Sequence, residues 1–228
     1  MPRPLVPDRR ARILDAARDL ILENGWPRTT VADVAARAGI GKGAVYLELP
    51  DKAAILDAVL RRSTRDLTAE VRRRVVEATG PLDLPAVYRF GTEALLGDPL
   101  MRALYAGDVS LLGDHVRQVA DGGDRYAERF GWLADYVARL QDAGVVDPAM
   151  PTETVVRVLG VFSVGLVHAP GTIGAMTDDA LRDAVALFAD LVGRGLAADR
   201  PVDPEAGRAA QLGLLARLDH QLDLLEDP

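Results

Sequence analysis

The stretch from Thr29 to Lys52, TTVADVAARAGIGKGAVYLELPDK, constrains this chain more than any other. Thr30 stands three residues ahead of Asp33, a capping-box-like start that favours a helix opening at Val31. Val31, Val34, Ala35 and Ala38 form an apolar stripe at helical spacing, and Gly39 falls where a left-handed C-terminal cap is needed. After a short turn a second helix is expected over Lys42–Leu49, ended by Pro50. Helix, glycine turn, helix is the geometry of a helix-turn-helix, whose second helix lies in a DNA groove.

Several further spacings agree at once. With ILDAA at 13–17, Gly25, TTVADVAARAGI at 29–40, GKGAVY at 41–46 and DKAAIL at 51–56, residues 9–60 resemble the DNA-binding domain of the TetR (tetracycline-repressor-like) family of bacterial transcription regulators. Beyond this first quarter only length and helical character match. The resemblance implies an all-α chain, with an N-terminal three-helix helix-turn-helix domain at 1–55. A larger helical bundle for ligand binding and dimerisation is expected at 56–228. It also implies DNA contacts, mostly to the backbone, at the positions of Thr30, Lys42, Gly43, Tyr46 and Lys52.

Charge supports this division. The 228 residues carry a net charge of −7, yet residues 1–75 hold 15 Lys+Arg against 10 Asp+Glu, and residues 76–228 hold 12 against 24. A basic head on an acidic body is what a DNA-facing segment would leave. The two lysines of the chain, Lys42 and Lys52, both fall at the helix-turn-helix; arginine serves everywhere else. A compact ammonium in an arginine-rich chain suggests a site that wants a point charge rather than a planar fork. The absence of cysteine excludes disulfides and thiolate metal sites and suits a reducing compartment. MPRPLVPDRR lacks the apolar core of a signal peptide, so the expected location is cytoplasmic. Residues 158–177 carry no Asp, Glu, Lys or Arg, but His168, Pro170, Gly171 and Gly174 leave the apolar run too short to span a bilayer. They read as a buried helix ending near Val167, then a loop.

The rest of the chain reads as helix throughout, with breaks at Gly25, Gly80-Pro81, Gly97-Asp98-Pro99, Gly107, Gly113, Gly122-Gly123 and Pro201–Pro204. Turning the second helix of the pair by about 100° per residue puts Val45 and Leu49 inward. Lys42 and Tyr46 flank them, and Gly43, Ala44 and Leu47 face outward with Glu48 beside them. The expected DNA surface is therefore Thr30, Gly41, Lys42, Gly43, Ala44, Tyr46, Leu47 and Lys52. The chain departs from the usual family pattern at Gly41 and Ala44, and Leu47, Glu48 and Leu49 stand where rings are frequent. Ala44 and Leu47 suit thymine methyl groups, and Glu48 suits a cytosine amino group or repels unsuitable sites.

A helix-turn-helix monomer grips few base pairs, so the expected partners are a palindromic double-stranded operator and a second copy of the chain. The helix from Thr152 is apolar nearly all round and is expected to be buried on every side. With the helix after it, it is the first choice for a dimer interface, through Leu159, Val164, Phe188, Leu191 and Val192. The last helix carries a leucine seam at 215, 218, 222 and 225. Tyr88, Met101, Tyr105, Trp132, Tyr136, Phe162 and His168 are the candidates for a pocket holding an unknown small effector, apolar or aromatic given the few charges among them.

An enzyme is the competing class. His115, His168 and His220 are far apart, with no metal-spaced partner, and no nucleophile elbow, P-loop or paired carboxylates occur. No catalytic residue, cofactor or metal is expected. A second alternative keeps the fold and drops the DNA: a small-molecule-binding or interaction module whose head binds DNA weakly or not at all.

Overall fold

The computed structural model describes residues 8–79, 82, 84–113, 124–172, 174 and 176–224, without the side chains of 85, 124–131, 163, 164 and 166–172. It is all-helical among the described residues, apart from one isolated bridge between Val146 and Ala197. The chain divides into two compact units, residues 1–64 with 99–120 and residues 65–98 with 121–228.

The first unit holds α1 (Arg9–Asn24), a 3-10 turn (Trp26–Arg28), α2 (Val31–Ala38), α3 (Lys42–Glu48), the start of α4 (Lys52–Glu77), α6 (Pro99–Tyr105) and α7 (Val109–Leu112). Each α2 signal does what its chemistry requires. Thr30 Oγ1 accepts from the Asp33 N–H at 3.2 Å while the Thr30 N–H donates to Asp33 Oδ2 at 2.8 Å. Gly39 closes the helix at φ 67°, its N–H reaching the carbonyls of Ala35 and Ala36. Gly25, at φ 79°, ends α1 where a Cβ would sit 2.6 Å from the Ser110 carbonyl oxygen, so only glycine lets α7 come this close. The core gathers Ile13, Ile21, Val34, Val45, Ile55 and Val59, each at 0% exposure. Burying each such side chain is worth about 1.5–3 kcal/mol.

The second unit holds the rest of α4, α5 (Leu84–Gly97), α8 (Asp124–Asp142), α9 (Thr152–Thr172), α10 (Asp178–Leu196) and α11 (Pro204–Leu224). α5 packs along α10, and α8 packs against both α9 and α11. Thr177 caps α10 through the Ala180 N–H. At the start of α9 the Thr152 hydroxyl donates to Gln141 Oε1, and Gln141 Nε2 in turn donates to the Asp147 and Met150 carbonyls.

Two expectations are corrected here. α9 runs on to Thr172, past His168 and through Pro170 and Gly171, because a proline removes one helical bond without ending the turn already formed. Nor is α9 buried on every side: Val155, Val156 and Leu159 are buried, while Val158 is 48% and Val161 74% exposed. Of the leucine seam, Leu215 is buried and Leu218 partly so, and Leu225 lies outside the described residues.

Candidate nucleic-acid interface

α3 is fixed from behind. Val45 and Leu49 are 0% and 3% exposed and plug the head's core. Arginines of α1 hold the carbonyl ends of both short helices, groups that a helix terminus leaves without intrahelical partners. Arg12 Nη2 donates to the Ala38 oxygen at 2.6 Å, and Arg10 Nη1 to the Glu48 oxygen at 3.2 Å. Arg37 of α2 forks onto Glu23 of α1 at 3.0 and 2.6 Å.

What this leaves outward is short and mixed. Gly41, Lys42, Gly43, Tyr46 and Leu47 are exposed, and Ala44 is half-buried. Leu47 is 80% exposed, in the last turn of a helix whose opposite side is closed core. The Lys42 ammonium lies 5.9 Å from the centre of the Tyr46 ring, so a charge and a hydroxyl share one side of α3. No Cβ contact limits Gly41 or Gly43, which leaves room for another molecule's backbone against that turn.

Glu48 has a neighbour that the sequence did not suggest. Its Oε1 lies 3.0 Å from Arg9 Nε, and the pair is about three-quarters covered. The pair partly offsets the carboxylate's charge on this side of α3. Sequence spacing gave no signal of this pair, whose members are separated by most of the domain.

Thr30 and Lys52 sit at the openings of α2 and α4. The Thr30 hydroxyl caps α2 and donates to Asp33 Oδ2 at 2.7 Å. Lys52 Nζ donates to the Trp26 carbonyl at 2.8 Å and lies 4.7 Å from the centre of the Trp26 ring. Partial burial there lowers its pKa, and the nearby Asp33 carboxylate opposes that shift. An ammonium has three donors, so this seat fixes Lys52 while leaving donors for a second acceptor. Trp26 went unnoticed as a functional residue; the signal was an aromatic beside Gly25 in a chain with so few rings.

The pocket candidates of the second unit do not gather in one place. Met101 and Tyr105 belong to the first unit and the others to the second. The Tyr105 hydroxyl is buried with no hydrogen-bond partner among the described residues, and burial raises its pKa. Tyr88 and Phe162 do meet, ring edge to face at 5.7 Å, with Phe188 stacked 3.4 Å from Phe162. Trp132 and Tyr136 line a small separate cavity, and the Tyr136 hydroxyl donates to Gln211 Oε1 at 2.7 Å. The His168 side chain lies outside those described. A cleft of about 560 Å³ opens elsewhere in this unit, floored by Leu82, Leu84, Val146 and Val192 with Arg89 and Arg194 at its edge.

Of the interface candidates, Leu159 and Val192 face the core of the second unit, Phe188 packs partly against it, and Leu191 is 62% exposed. The Val164 side chain lies outside those described. Exposed positions at helical spacing run along α9 as Thr154, Val158, Val161 and Gly165, and along α10 as Ala180, Ala184, Leu187, Leu191 and Gly195. The two helices meet where Phe162 stacks on Phe188. Val158 and Val161 escaped sequence reasoning because α9 is apolar on all sides and so gives no inward direction.

Comparison with known proteins places the head. The family model described as bacterial regulatory proteins, tetR family, matches residues 13–59. The HTH-type transcriptional regulator BetI of Burkholderia cenocepacia (strain HI2424) is 45% identical over 74 residues, 32% of this chain and 38% of its own length. BetI of Burkholderia mallei (strain NCTC 10229) is 43% identical over 74 residues, with the same coverage. The chain thus matches well under half the length of these relatives. Among solved structures, a putative TetR-family transcriptional regulator from Syntrophomonas wolfei gives a TM-score of 0.56 at 18% identity, over 85% of this chain and 98% of that one. The transcriptional regulator FadR from Bacillus subtilis, solved in complex with stearoyl-CoA, gives 0.53 at 16% identity, over 82% and 98%. Likeness at such identities is likeness of fold.

Proposed function

We propose that the chain, whose residues 13–59 match the model of the tetR family of bacterial regulatory proteins, is a dimeric, sequence-specific DNA-binding repressor of that family, released from a palindromic operator by a small apolar effector. One observation carries the DNA-binding half: the outward side of α3, with Leu47 80% exposed over a closed core. Lys42, Tyr46, Lys52 and Thr30 supply donors for phosphate oxygens, which position the helix without reading sequence. Leu47 and Ala44 supply apolar contact for thymine methyl groups. The alternative, a head that binds DNA weakly or not at all, draws less support from Glu48 once that carboxylate is paired with Arg9.

The exposed apolar stripes of α9 and α10 support the dimer. A contiguous apolar face on a folded chain marks a protein contact, and a two-fold dimer presents the same patch from both copies. For the effector, stearoyl-CoA is a ligand of the Bacillus subtilis protein. Here, support comes from the cleft beside α5 and α10, whose size and mostly apolar floor suit a small amphipathic or apolar molecule. Effector binding in the second unit would change the orientation of α4 and with it the spacing of two recognition helices. No helix among the described residues is long and apolar enough to cross a membrane; a cytoplasmic location is part of this proposal.

Selection of duplexes from a randomised pool by the full chain, at stated salt, followed by gel shift of the winners, tests the reading. It expects two inverted half-sites separated by about 34–36 Å or a multiple of that. A pool with no enriched sequence would overturn it.

A further inference from the structure

Turned by about 100° per residue, α3 has one outward edge and two flanks. Gly43 and Leu47 form the edge. Lys42 and Tyr46 lie on one flank, where an ammonium and a hydroxyl sit together. Ala44 and Glu48 lie on the other, one turn apart and about 100° round from the edge. A helix in a major groove has a phosphate strand beyond each flank. On the Ala44–Glu48 flank α3 itself offers those phosphates an anion and no cation.

The cation on that side comes from α1. Arg9 Nε lies 3.0 Å from Glu48 Oε1, and 22% of the Arg9 side chain remains exposed. Arg10 Nη1 donates to the Glu48 carbonyl at 3.2 Å, so the start of α1 is tied to the end of α3 at two points. The first turn of α1, Arg9-Arg10-Ala11-Arg12, holds no acidic residue. A helix dipole disfavours cations at that end. Arg10 and Arg12 offset this by meeting the carbonyl ends of α3 and α2, where a cation is favoured. Arg9 meets a side chain instead. A partly exposed ion pair contributes little to stability, so its value lies in what it faces. A guanidinium carries five N–H donors in a planar fork that matches phosphate, and the pairing with Glu48 is made at Nε.

We propose that Arg9 is a phosphate clamp on the strand opposite the one that Lys42 meets, and that Glu48 is the positioning residue that holds its guanidinium there. The proposal rests on the operator-binding reading above and adds these two residues to it. Phosphate contact carries no sequence information. The pair therefore adds affinity and centres α3 between the two strands, while base preference stays with the outward edge.

The test follows the full chain on a duplex carrying one half-site of the selected operator, by fluorescence anisotropy across a salt series. The double variant Arg9→Gln with Glu48→Gln removes one charge of each sign and leaves the net charge unchanged. Expected is about tenfold weaker binding and a salt slope flatter by about 0.9, the value for one phosphate. Arg9→Lys keeps a point charge and should retain the slope. Glu48→Ala should weaken binding about threefold, although the head gains positive charge, because Arg9 loses its seat. Thermal melting checks that the variants fold, and the double variant and Glu48→Ala each test the proposal alone. A double variant with wild-type affinity and slope means that the two charges merely cancel, and overturns the proposal. Tighter binding by Glu48→Ala means that the carboxylate only repels DNA, and overturns it too. So does a base preference altered by Glu48→Ala in a repeated selection, which gives the carboxylate to a cytosine. If the wild type binds no duplex, the operator reading falls and takes the clamp with it; a clamp that fails in a wild type that binds leaves that reading standing.

Discussion

The head and the body treat apolar surface in opposite ways. The head's helix-turn-helix closes its core fully and exposes a lone Leu47 beside Tyr46, among donors. The body exposes a row: Val158 and Val161 on α9, Leu187 and Leu191 on α10, flanked by alanines and glycines. A single apolar group on a polar rim matches something small, such as a methyl group in a groove. A row matches another row. The same residue type thus points to two partners, and the pattern around it decides which.

The strongest test of the contrast strikes the head's closed core. Ile13→Ala, at 0% exposure, should cost about 2–5 kcal/mol by the usual large-to-small penalty, read by chemical denaturation. A cost under 1 kcal/mol would mean that the core is not closed as described. Next comes the row. Val161→Glu with Leu191→Glu should yield a monomer by sedimentation and weaken the palindrome about a hundredfold, or about 2.7 kcal/mol, while sparing a single half-site. A double variant that stays dimeric breaks the comparison on the body's side.

Smaller effects sharpen the head's side. Lys52→Ala should weaken all duplexes about tenfold alike and flatten the salt slope by about 0.9, the value for one phosphate contact. An unchanged slope would mean that Trp26 occupies the ammonium entirely. Thr30→Ala removes the hydroxyl that accepts from the Asp33 N–H, keeps the backbone N–H that donates to Asp33, and should lower head stability by about 1 kcal/mol, measured by thermal melting. Smallest is Glu70, whose carboxyl is held down to about 2 by hydrogen bonds from Arg73 and then Arg74. A carboxyl lowered in the folded chain contributes above its ordinary 4.5 and loses that contribution as pH falls toward 2. Glu70→Gln should remove a slight acid-side slope in that window and, this group lying partly exposed at the surface, little else.

Local signals were legible and distant ones were not. The reciprocal Thr30–Asp33 cap, the left-handed Gly39, and the inward Val45 and Leu49 follow from spacings of a few residues, and the all-helical class followed from the same periodicities. The tetR-family match over 13–59 bears out the resemblance read from those motifs. Glu48 with Arg9, and Lys52 on Trp26, join residues that no helical period links, so only the fold reveals them. α9 hid its direction for another reason: with valines on every side, a helix carries no moment to say which of them face the core.

The account turns on whether the outward side of α3 reads bases. Repeating the duplex selection with Leu47→Ala measures this most directly. The account predicts a changed preference confined to one or two thymine-containing steps within each half-site, with the half-site spacing retained. A profile identical to wild type, from a protein that still binds, would contradict it.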